Sequence, residues 1–187
     1  MKLVTIDNGY YKDFLGSCGL DVEVLKPTAS PAVLYNKILD RESGWVGFIH
    51  SDVTCHGLVE AFYDTLEKHP AKAYGIVGPG PRWARRFRSY PVQTCDSCFI
   101  ALHSDTLRFD SDTFDNFHLY VEDMALQQGD VRTLLIDGFE GFGKLKLDYN
   151  GWFIHHSKTL HKLGTGWGDY WSYRKKLTDK WGNVRTT

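Results

Sequence analysis

The chain has 187 residues, 42% of them hydrophobic and 14% aromatic, with a formal charge of −1. That length supports one domain with a full hydrophobic core, 1–187. The near-zero charge gives no polyelectrolyte surface for nucleic acid, and no apolar run reaches the roughly 18 residues of a membrane span. The N-terminus, Met1-Lys2-Leu3-Val4-Thr5-Ile6, has no signal-peptide hydrophobic region, which predicts a cytoplasmic chain.

Residues 2–6 read as a first strand, broken by the turn signal Asp7-Asn8-Gly9. Residues 21–25 alternate and read as a second strand, closed by Lys26-Pro27. Ser30-Pro31 is an N-cap followed by proline at the first helical position, with Leu34 and Ile38 one turn apart behind it. The next segment, Gly44 to Val53, is an apolar run that stops on His50-Ser51-Asp52. Side chains alternate along a strand, so His50 and Asp52 share a face and can share one cation or one phosphate-bearing ligand. The plainer alternative is a polar turn in which Asp52 caps a helix starting near His56.

Leu58, Ala61, Phe62 and Leu66 mark one face of that helix, which is expected to stop before Pro70. Residues 73–77 read as a strand running into Gly78-Pro79-Gly80-Pro81, a loop that carries the basic patch Arg82-Trp83-Ala84-Arg85-Arg86-Phe87-Arg88. Residues 98–102 are expected as a strand, 119–128 as a helix containing Glu122-Asp123, and 134–136 and 152–154 as late strands, the last followed by His155-His156. Strands alternating with helices argue an α/β fold with a mostly parallel central sheet flanked by helices.

Three polar clusters thus stand at element ends: His50/Asp52, Glu122/Asp123 and His155/His156. Carboxylate with imidazole suits Mn²⁺ better than a Ca²⁺ cage. One carboxylate of Glu122-Asp123 can serve as a general base, or the pair can simply complement the helix dipole. The four cysteines, Cys18, Cys55, Cys95 and Cys98, include one C-x-x-C pair and read as plain thiols. Gly138 to Gly143 reads as a flap. The aromatic, basic run from Trp167 to Trp181 either packs on the sheet or lies on a membrane surface.

Taken together these segments resemble the GT-A glycosyltransferases, in particular the family 2-like inverting group. The resemblance rests on Ala32 to Val53 for the family's helix and D-x-D strand, on Gly75-Ile76-Val77-Gly78-Pro79, on Thr94 to Ala101, on Tyr120 to Leu126 for its E-D helix, and on Phe153 to Ser157 for its closing histidine. It implies a GT-A, Rossmann-like fold with a nucleotide-sugar half (1–80) and an acceptor-binding, catalytic half (81–187). The donor would be a nucleoside-diphosphate sugar held by Thr5, Asp7, Asn8, Asn36, His50, Ser51 and Asp52. Mn²⁺ or Mg²⁺ would sit on Asp52 and His50, with His156 or His155 nearby.

Asp123 would be the base, supported by Glu122. The acceptor, a glycan, glycolipid or glycoprotein and not a nucleic acid, would be met by Arg82, Trp83, Arg85 and Arg86. The chain departs from the family where the first Asp of D-x-D is His50. A metal-dependent hydrolase using the same histidines and carboxylates, or a carbohydrate-binding module, are the rival functions.

Overall fold

The computed structural model describes residues 1–76, 91–92, 95, 98–115, 119–134, 147–148, 153–156 and 170–183. Its elements in chain order are β1 (Lys2–Ile6), a 3-10 turn (Leu15–Cys18), β2 (Val22–Leu25), α1 (Pro31–Arg41), β3 (Trp45–Ile49), β4 (Val53–Cys55) and α2 (Leu58–Lys68). Then come β5 (Ala73–Gly75), β6 (Pro91–Val92), β7 (Phe99–His103), α3 (Tyr120–Gln128), β8 (Val131–Thr133), β9 (Leu147–Asp148), β10 (Phe153–His155) and α4 (Tyr170–Trp181).

Among the described residues the main sheet has the order β2-β1-β3-β7-β5-β8-β6. Strands β1, β2, β3, β5 and β8 run one way; β7, wedged between β3 and β5, and β6 run the other. The period-2 alternation of the strands sorts the core into two layers. Val4, Phe48, Ile100 and Leu102 face α1, α3 and α4. Leu3, Ile49, Phe99 and Ala101 face the opposite side, with Leu58 and Phe62 of α2.

Helix α1 begins as its sequence dictates, with the Ser30 hydroxyl accepting from the Val33 N–H at 3.5 Å and Pro31 in the first turn. Helix α4 buries Tyr173 and Leu177 in the same layer as α1 and α3, so its apolar side packs on the protein, while Trp171 is 72% exposed. No helix among the described residues is long and apolar enough to cross a membrane. A strand runs at Val131–Thr133, immediately after Gly129-Asp130, and of the strand expected at 134–136 residues 135 and 136 lie outside the described residues.

A second sheet, β4-β10-β9, is antiparallel and joins residues 53–55 to 153–155. It was not anticipated: the three residues of β4 read as the lead-in to α2. Helix α2 starts at Gly57, in left-handed backbone (φ 65°) with no side-chain cap, so Asp52 does not cap it.

Gly75 of β5 tolerates no side chain, because an added Cβ would lie 2.4 Å from Cys95 Cβ and 2.6 Å from its sulfur. Gly75→Ala is therefore expected to cost about 1–3 kcal/mol through overpacking. That corresponds to a fall in Tm of roughly 3–10 °C by circular dichroism; an unchanged Tm would show that Cys95 yields freely.

Candidate functional site

The strand β3 ends at Ile49, and its polar triplet follows as a turn into β4. The His50 N–H donates to the Cys98 carbonyl at 3.0 Å, fixing the turn to the start of β7. His50 Nδ1 then stands 3.8 Å from Asp52 Oδ1. The two side chains meet as the sequence predicts, but through a turn and not by strand alternation.

Asp52 is 5% exposed, a buried carboxylate. Ser51, also buried, donates from its hydroxyl to Asn8 Oδ1, and its carbonyl accepts from the Leu15 N–H at 3.4 Å. The carboxyl ends of the adjacent parallel strands β1 and β3 are thereby tied together, and it is at such ends that α/β sheets bind ligands.

Asp7 is spent locally. Its Oδ1 accepts from the N–H groups of Gly9 (2.8 Å) and Tyr11 (3.2 Å), which shapes the loop after β1. Thr5 is fully buried, and its hydroxyl has no hydrogen-bond partner among the described residues. Asn36 lies away from this end. Both halves of its amide hold the Phe109 backbone, Nδ2 donating to the carbonyl at 2.9 Å and Oδ1 accepting the N–H at 2.8 Å. Its observed work is to fasten the segment after β7 to α1.

The second sheet brings His156 to Asp52. Antiparallel pairing of β10 with β4 sets His155 opposite Val53, and the next N–H, that of His156, donates to the Asp52 carbonyl at 2.9 Å. His156 Nε2 lies 3.1 Å from Thr54 Oγ1, and its ring stacks on Phe14 with centroids 4.3 Å apart. Thr54 and Phe14 are neighbours of the site that sequence reasoning missed. Only the register of β4, with Asp52 and Thr54 two apart, hinted at the threonine. The His155 side chain lies outside the described residues, as do Arg82, Trp83, Arg85, Arg86 and the segment 138–143.

The acidic pair occupies the first turn of α3. Since α3 leads directly into β8, which runs parallel to β5, its N-terminus lies at the same end of the sheet as His50 and Asp52. It belongs to the other layer, the one shared with α1 and α4. The residue before it, Leu119, has φ 61° and is the one non-glycine residue with positive φ among those described. Such backbone strain is held in place only by its surroundings and gathers at functional sites.

Asp123 itself is closed off. It is fully buried, with Oδ1 accepting from Trp181 Nε1 at 2.7 Å and lying 2.9 Å from Lys180 Nζ, while Oδ2 accepts from Gln127 Nε2 at 2.6 Å. The open base expected from the sequence is thus a carboxylate whose oxygens are already engaged by the end of α4. Lys180 also reaches Asp110 Oδ2 at 2.8 Å. Burial would lower the Lys180 pKa, but the hydrogen bonds from Asp110 and Asp123 outweigh it and hold the ammonium above its ordinary value.

Among the described residues no three His, Cys, Asp or Glu side chains converge into a metal cage. The donor set at the turn is one imidazole and one carboxylate. That suits a divalent cation of the Mg²⁺ or Mn²⁺ kind, which takes one or two protein ligands and completes its sphere with substrate phosphates.

No protein-family profile matches the chain, and no curated protein matches it. Among solved structures, S. aureus TarS 1-349 in complex with UDP-GlcNAc aligns over 100% of this chain and 68% of its own, with TM-score 0.56 and 13% identity. S. aureus TarS 1-349 aligns over 72% of this chain at TM-score 0.49 and 14% identity. A197 from STIV aligns over 72% of this chain and 82% of its own, at TM-score 0.48 and 12% identity. The chain spans 58% of the TarS 1-349 structure matched at 0.49, less than two thirds of it. The whole-chain alignment shows the fold: a mixed α/β sheet flanked by helices, as in the TarS structure.

Proposed function

We propose that the chain is a glycosyltransferase that moves a sugar from a nucleoside-diphosphate donor to an acceptor hydroxyl. The observation that carries this reading is the His50–Asp52 pair, 3.8 Å apart at the carboxyl end of β3, in a fold shared with a protein solved in complex with UDP-GlcNAc. Asp52 and His50 would hold Mn²⁺ or Mg²⁺ together with the donor's diphosphate, and His156 would contact the diphosphate from β10. When bound, the cation offsets the negative charge that grows on the leaving group. Thr5, Asn8 and Ser51 form the wall on the nucleoside side, and Asp7 shapes the loop beside it.

Transfer also needs a carboxylate to take the acceptor's proton. We assign that to Asp123, with Glu122 supporting. Its Oδ1 is free for this only when Lys180 and Trp181 have withdrawn. With a base and no protein nucleophile, the displacement is a single inverting one. The acceptor is a glycan, glycolipid or glycoprotein hydroxyl, met by Arg82, Trp83, Arg85 and Arg86.

Thermal-shift measurements with UDP and Mn²⁺ test the reading. At ligand 100-fold above Kd, linkage adds about 2.7 kcal/mol, so UDP plus Mn²⁺ is expected to raise Tm by roughly 5–10 °C, beyond either alone. A rise with metal alone would favour a hydrolase, and no response to either would favour a binding module; both outcomes reject the transferase.

A further inference from the structure

Two cysteines outside the proposed chemistry lie against each other. Cys18 ends the 3-10 turn after β1 and Cys55 ends β4, 37 residues further on. The Cys55 N–H donates to Cys18 Sγ at 3.2 Å. The Cys18 sulfur therefore already lies against the Cys55 residue. Both are free thiols, Cys55 fully buried and Cys18 half-buried, so an oxidant reaches the pair only through Cys18.

We infer that Cys18 and Cys55 form a modification site, a dithiol that a small disulfide such as oxidised glutathione converts to an intramolecular bridge. This inference stands apart from the sugar-transfer reading. The Cys18 thiolate attacks one sulfur of oxidised glutathione, releasing one glutathione thiolate and leaving glutathione on Cys18. The Cys55 thiolate then attacks Cys18 Sγ, forming the S–S bond and expelling the second glutathione. Two protein thiols are oxidised to one disulfide, and one glutathione disulfide is reduced to two thiols. Burial, reinforced by Cys18, pushes the Cys55 thiol well above its ordinary pKa. The second step is consequently the slower one, and it accelerates as pH rises.

The bridge also touches the candidate site. In the reduced chain the Cys18 S–H donates to the Phe14 carbonyl at 3.6 Å, and Phe14 is the residue whose ring stacks on His156. Oxidation removes that donor.

The test is incubation of the folded, full-length chain with oxidised glutathione, followed by blocking of residual thiols under denaturing conditions and peptide mapping by mass spectrometry. A glutathione adduct on Cys18 is expected first, giving way to a Cys18–Cys55 linked peptide, more than tenfold faster at pH 9 than at pH 7. Cys55→Ser should stop at the Cys18 adduct, and Cys18→Ser should leave Cys55 unmodified. A Cys18 adduct that never resolves in the unaltered chain, all four thiols remaining free, or a bridge to Cys95 or Cys98 would each overturn the assignment. Mapping of the unaltered chain decides the question even where a variant does not fold.

Discussion

Asp52→Asn is expected to lower kcat/KM for sugar transfer by about 10²- to 10³-fold, the usual effect of losing one group that stabilises developing charge. Donor affinity in the presence of Mn²⁺ should fall with it, since the amide no longer supplies an anionic ligand. The fold should survive. The main-chain bond from His156 reaches the Asp52 carbonyl and not its side chain, and asparagine has the same shape. Isothermal titration with UDP and Mn²⁺, alongside a melting curve, separates the effects. Unchanged nucleotide and metal affinity in the variant would remove Asp52 from the donor site, and the transferase reading with it.

Asp123→Asn tests a residue with one observed duty and one proposed. As an anchor, the carboxylate is buried and holds both Lys180 and Trp181 of α4. Removing one partner of a buried pair costs about 3–5 kcal/mol. Lys180 is 32% exposed and keeps Asp110, so about 2–3 kcal/mol is the better expectation, a fall in Tm of roughly 5–10 °C. As a base, the same carboxylate is worth about 10²- to 10⁴-fold in kcat, with donor affinity retained. A variant that melts early yet transfers at full rate is an anchor only, and the base must be sought elsewhere.

The pH dependence of the clamp follows from its charges. Lys180 is held above its ordinary pKa, so its contribution is fully present below about pH 10 and is lost as the pH rises through the elevated value. Burial tends to raise the Asp110 pKa, but bonds from Lys180 and Thr113 lower it on balance. Its contribution is present above about pH 4 and is lost as the pH falls through the depressed value. Stability from this cluster is expected to be flat between those limits.

Much of the fold was legible because it is written locally. Ser30-Pro31 announces α1, and the alternating apolar residues of β1, β3 and β7 each find the face their parity demands. Strand β8 was less legible, since Val131 and Thr133 alternate and follow the Gly129-Asp130 turn directly, ahead of the apolar residues that drew attention. In the candidate site, His50 and Asp52 were expected together from a spacing of two along a strand, but it is the turn after β3 that brings them together. The closure of Asp123 was not legible, because Lys180 and Trp181 come from 57 and 58 residues away and nothing near Asp123 marks them as partners. The bonds of the Asn36 amide to a backbone 73 residues on were equally unmarked in the sequence.

The small sheet has a bearing on when the donor end of the molecule can exist. Thr54 and His156 are separated by 102 residues of chain, and among the described residues β4 pairs only with β10 in its sheet. Contacts of such long sequence separation close the largest loops and form slowly. During synthesis the first five strands can emerge and begin to pair while the turn at Asp52 still lacks the edge that His156 supplies. On the proposed function, competence to hold a nucleotide arrives late, with the segment at 153–156, and a ribosome-bound fragment ending before it should show the early strand pairing without nucleotide retention.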